Sequence, residues 1–169
     1  MGERRTVPNV ERRRAYGAHL AGCFGLSEPP SHVVQTIRRH VLAVSELRLD
    51  SPTPEPTLSV GIDDAFLAVV HLKNVNDHEL WLNGRTVRAE PLRRGMTYIH
   101  ELKQDPRAIV RQPAHAVHFY LPLSTLNAFA AQHNAPTISG LVYRPGAGRG
   151  DLLINPPFKG LGSAFGRQR

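Results

Sequence analysis

His78-Glu-Leu-Trp-Leu-Asn-Gly-Arg-Thr-Val-Arg-Ala-Glu90 decides the fold class: two short alternating runs meet at Asn83-Gly84. Both turn residues accept the positive φ of a type I′ turn, whose twist matches that of paired strands, so the stretch predicts a β-hairpin. Strand-like runs continue beyond it at Met96–Leu102, Ala108–Arg111 and His115–Leu121. Upstream, Val41–Leu49 alternates as a half-buried strand, and Ala65–Leu72 is nearly continuous apolar sequence, as in a strand covered on both faces.

Other segments read differently. Glu28-Pro-Pro30 punctuates the chain, and Ser31 is placed to cap a short helix over His32–Arg39, with Val33, Val34 and Ile37 at helical spacing. Ser51-Pro-Thr-Pro-Glu-Pro56 suits a surface loop, because proline cannot donate to a central ladder. Ser124–His133 predicts a helix, and Arg144-Pro-Gly-Ala-Gly-Arg-Gly150 breaks regular structure. Six to eight short strands separated by turns favour a closed or double-sheet β architecture, which hides strand edges.

Four stretches taken in order resemble the N-terminal domain of AraC-type transcriptional regulators: Val75 to Val87, Arg94-Gly-Met-Thr-Tyr-Ile-His-Glu-Leu102, Asp105-Pro-Arg107 and His115-Ala-Val-His-Phe-Tyr-Leu-Pro122. The resemblance runs from about Gly25 to Gly150. It implies a mainly β, cupin-like jelly roll or barrel with a C-terminal helix, serving effector sensing and dimerisation. In that family DNA is read by a C-terminal pair of helix-turn-helix motifs of roughly 100 residues. No such element follows residue 150, so the expectation is a regulator truncated before its DNA-binding domain, a frame-shifted product or a stand-alone sensor fragment.

The 169 residues suffice for one domain with a core. The expected organisation is a basic, partly disordered arm over 1–24, the sensing domain over 25–143 and a disordered Gly/Pro/Arg-rich tail over 144–169. The net charge of +7 belongs to the ends: residues 1–14 carry +3 and residues 144–169 carry +4, which leaves 15–143 with eleven basic and eleven acidic side chains. Charge confined to arms favours salt-sensitive attraction to nucleic acid over sequence-specific DNA binding. Leu20-Ala-Gly-Cys23 has the form of a lipobox, yet His19 and two glycines interrupt the apolar run that a signal peptide needs. With no apolar run long enough to cross a bilayer and Cys23 as the single cysteine, the expectation is a cytoplasmic protein that does not engage membranes.

Nine histidines call first for a metal test. A cupin metal site needs His-x-His, a nearby glutamate and a further histidine, and His71, His78, His100, His115 and His118 do not follow that spacing. His115 and His118 stand an odd number of residues apart, so on a strand they face opposite ways. His71 and His118 suit the barrel interior, either as histidines bonded to backbone or as groups that recognise a ligand. Gly146-Ala-Gly-Arg-Gly150 lacks the Lys-Ser/Thr of a phosphate loop, and Cys23 lacks an oriented base. No metal or other cofactor is expected, nor catalysis.

The residues expected to bind a ligand are His71, Trp81, Tyr98, His118 and Tyr120. Trp81 alternates with Leu80 and Leu82, so it is either an exposed contact or packed across the hairpin against Val87. Leu123, Leu126, Phe129 and Ala130 form an apolar helix face that serves core packing or dimerisation equally well. The expected partners are a small-molecule effector and a second subunit, either an identical chain or a full-length relative. A small cupin-type metal enzyme and a basic nucleic-acid-binding module are the alternatives.

Overall fold

The computed structural model describes residues 14–27, the backbone of 31–35, and residues 40–150. The expectations for residues 1–13 and 151–169 lie outside the described residues. The fold is mainly β, as the sequence predicts. Its elements are α1 (Gly17–Cys23), β1 (Ser31–Gln35), β2 (Val41–Leu49), β3 (Ala65–His71), β4 (His78–Leu82), β5 (Arg85–Val87), β6 (Met96–Glu101), β7 (Arg107–Val110), β8 (Ala114–Pro122), α2 (Leu123–Gln132) and β9 (Arg149–Gly150), with a 3-10 turn at Leu102–Gln104. They form a six-stranded sheet in the order β1-β2-β8-β3-β6-β9 and a three-stranded sheet in the order β5-β4-β7. All the pairings are antiparallel.

The strands follow from local sequence. Along β2 the odd-numbered residues from Val41 to Leu49 are buried while the intervening ones are half-buried or exposed, the period of two that gives a strand one core face. β3 lies between β8 and β6 and has buried residues on both faces, which matches its nearly continuous apolar run. The β4–β5 hairpin turns at Asn83 and Gly84, whose φ values of 50° and 74° are those the turn requires. The loop over residues 51–56 contains no strand or helix.

Three expectations are corrected. Ser31 caps no helix, because residues 31–35 form a strand whose register pairs Ser31 with Ser45 and Gln35 with Val41. Three apolar positions at helical spacing are weak support for so short a helix, and adjacent Val33 and Val34 are β-branched residues that fit a strand. Residues 17–24, assigned to a loose arm, belong to the body: Leu20, Ala21 and Cys23 of α1 are buried with Val41, Ala43, Leu47, Leu67 and Leu102. Gly17 N–H donates to Ser45 Oγ at 2.9 Å, and a ring nitrogen of His19 lies 3.0 Å from the Val60 carbonyl.

The third correction concerns residues 144–150, expected to be a tail without regular structure. Arg149 and Gly150 instead extend the large sheet by pairing with Thr97 and Met96. The Glu90 N–H donates to the Gly146 carbonyl at 2.7 Å. Gly146 has φ 72°, and a Cβ there would stand 2.8 Å from Ala89 Cα. Both the backbone conformation and the missing space demand glycine. Gly146→Ala is therefore expected to destabilise the protein by about 1–3 kcal/mol in urea denaturation. An unchanged midpoint would mean that this segment does not dock on the body.

Candidate functional site

Alternation on the facing strands builds a cavity between the two sheets. The large sheet lines it with Leu47 and Leu49 of β2, Leu67, Val69 and His71 of β3, Tyr98 and His100 of β6, and Ala114, Ala116 and His118 of β8. The small sheet adds His78 and Leu80 of β4 with Ala108 and Val110 of β7. Leu20 of α1 and the following Phe24 also reach it. Apart from Arg107 at the start of β7, the lining residues on a given strand share parity, so each strand turns one continuous face inward. The cavity measures about 110 Å³.

Four imidazoles converge on this apolar space from four strands. His71 and His118 are only 7% and 8% exposed, and the Nδ1 atom of each is buried without a hydrogen-bond partner among the described residues. A buried polar atom left unpaired costs about 1–3 kcal/mol, which makes these two nitrogens the least satisfied groups of the wall. Tyr98 meets His71 edge-on, with ring centroids 5.3 Å apart, and Phe24 meets His118 in the same manner at 6.1 Å. Aromatic edges pack against both imidazoles without bonding their Nδ1 atoms.

The site disfavours positive charge. Burial pushes the His71 pKa down to about 4, and His100 and His78 reinforce the shift. His100 is lowered to about 4 by burial and by His78, while His118 falls to about 3 through burial, His71 and His100, against a backbone contact from Ala116. His78 is also lowered by burial, against the opposing effect of Asp77. Burial is the cause common to all four, because an imidazolium would lose its hydration; in His71, His100 and His118 a neighbouring imidazole adds to it. Near neutrality the cluster is uncharged.

Arg107 is the single permanent charge among the described residues lining the cavity, and it is already neutralised. Its Nε and Nη2 donate to Asp105 Oδ2 at 3.1 and 2.8 Å. Asp105 has φ 45° and accepts at Oδ1 from Ser59 Oγ, so this edge of the cavity is tied to the preceding loop. Among the described residues, no group of three or more His, Cys, Asp or Glu side chains is placed to hold a metal ion.

Of the five residues expected to bind a ligand, His71, Tyr98 and His118 line the cavity. Tyr98 also braces its wall: its hydroxyl donates to the Pro91 carbonyl at 2.9 Å and accepts from Arg93 N–H at 3.0 Å. Tyr120 is buried instead in the core beneath α1, with Tyr16 at 5.3 Å between ring centroids, and its hydroxyl donates to Asp63 at 2.5 Å. Trp81 stands on the opposite face of β4 from the lining residue Leu80 and donates to Glu79 at 3.2 Å. Its cross-strand neighbours are Thr86 and Arg107, since Val87 pairs with Leu80.

His78 and His100 were missed as site residues. The available signal was parity, since His100 lies two residues from Tyr98 and His78 two from Leu80. On α2, Ala130 is buried, Leu123 and Leu126 are half-buried, and Phe129 is 62% exposed with its ring 4.4 Å from that of His133. No family model, curated protein or solved structure matches the chain.

Proposed function

We propose that the chain is an effector-sensing and self-association domain of an AraC-type transcriptional regulator, acting by binding and not by catalysis. The observation that carries this reading is the apolar cavity between the sheets, set with uncharged imidazoles and bordered by α1 and the segment around Gly146. A guest there contacts both sheets and α1, so its binding energy biases their packing and, through it, the association of subunits. Sequence-specific contact with DNA is not assigned to these residues. The subunit contact falls on α2, where Phe129 and the half-buried Leu126 supply apolar surface while Ala130 serves its own core.

Light scattering over a concentration series, beside the metal content of the purified chain, tests this proposal. The expected result is a reversible dimer without stoichiometric metal, shifted at least about tenfold toward monomer by Phe129→Glu, because a buried charge opposes association. A strictly monomeric protein that carries one metal ion per chain would overturn the reading in favour of a small cupin-type metal enzyme.

A further inference from the structure

We infer that the cavity accepts an uncharged, ring-sized molecule with an apolar body and one oxygen function, hydroxyl or carbonyl, directed at the imidazoles of His71 and His118. The inference rests on the effector-sensing reading and specifies the chemistry of the effector. Size comes first. A cavity of about 150 Å³ holds benzene in another protein, so the 110 Å³ found here accepts a single ring only after widening by about a third, and nothing larger.

Polarity follows from the wall. Leucine, valine and alanine side chains from both sheets make it apolar, while His71 and His118 each keep a buried ring nitrogen without a partner. A neutral imidazole has one donor and one acceptor nitrogen. With the unpaired Nδ1 as acceptor, Nε2–H is the donor; in the other tautomer the roles exchange. A hydroxyl donates and accepts, so it serves either form, and a carbonyl serves the donor.

Charge decides the remaining choice. Arg107 is occupied by Asp105, and the buried imidazoles resist protonation, so among the described residues the wall offers no free cation to compensate a carboxylate or phosphate. An ammonium group meets an equivalent obstacle, because among the described residues the lining itself includes no carboxylate. Electroneutrality is therefore a requirement that the site imposes on its guest.

The experiment titrates the full chain at pH 7.5 with phenol, benzene and benzoate in parallel, using calorimetry and the shifts of the histidine ring protons. Phenol should bind about three- to tenfold tighter than benzene and at least about tenfold tighter than benzoate. His118→Phe should reduce phenol to the level of benzene while leaving benzene itself nearly unchanged. Should that variant fail to fold, the ring-proton shifts of His71 and His118 in the wild type still report contact. Equal affinity for phenol and benzene, or preference for benzoate, would overturn the ligand class while leaving a sensing cavity. Failure of all three probes would overturn both the class and the cavity's role as a sensor.

Discussion

Leu20→Ala is expected to cost about 2–5 kcal/mol of folding stability, a large part of the 5–15 kcal/mol typical of a whole domain. The magnitude follows from position. Leu20 is 1% exposed and packs with Val41, Ala43 and Leu67 on the face of the large sheet that α1 covers. Truncation removes apolar contacts from both α1 and the cavity wall, and the sheet beneath is held by ladders that cannot collapse into the space. Urea denaturation followed by circular dichroism measures the effect. A loss below about 0.5 kcal/mol would mean that α1 is a detachable arm, as the sequence alone suggested.

That expectation failed for a physical reason. A seven-residue helix carrying His19, two glycines and no side-chain N-cap bond has little helical signal of its own. Its stability comes from Leu20, Ala21 and Cys23 packing on strands distant in sequence, which local periodicity cannot reveal. Residues 31–35 failed in the opposite direction: a faint helical spacing was overridden by pairing with β2. The strands that were legible had complete local signals. Val41–Leu49 alternates over nine residues, Ala65–Leu72 is apolar almost throughout, and Asn83-Gly84 specifies its turn chemistry.

The site was legible in its faces more than in its assembly. His71 and His118 could be found because each lies within an apolar strand and shares parity with buried neighbours, whereas Tyr98 is the one buried residue of β6. Tyr120 shares the parity of His118 but lies two residues further along β8, where α1 and Tyr16 close the core instead of leaving a cavity. Parity gives the face and not the height along the strand. His78 needed pairing information as well, because only the small sheet's position opposite the large one brings it to His71 and His100.

Stability should fall steeply on acidification from pH 6.5 to pH 5, by about 3 kcal/mol from His71 and His118 together. An unfolded imidazole takes up a proton near pH 6.5, whereas the folded pKa values lie near 4 and 3. Above pH 6.5 both states are neutral at these residues and their stability contribution is complete. Below it the unfolded chain gains protons that the folded chain refuses, each residue losing about 1.4 kcal/mol per pH unit until its folded pKa is reached. His100 adds to the same slope, moderated by its partial exposure. The window belongs to imidazoles: the Asp105 carboxyl is raised by burial but lowered overall by Ser59 and Arg107, so its effect lies below pH 4. Urea midpoints at several pH values check the slope, and His118→Leu should remove about a third to a half of it. A flat profile would mean that the cluster is hydrated and protonates freely. Guest binding should behave differently over the same interval, because the folded imidazoles stay neutral down to pH 5. Phenol affinity should hold constant while stability declines, since the proton acts on the unfolded chain and the guest acts on the folded one.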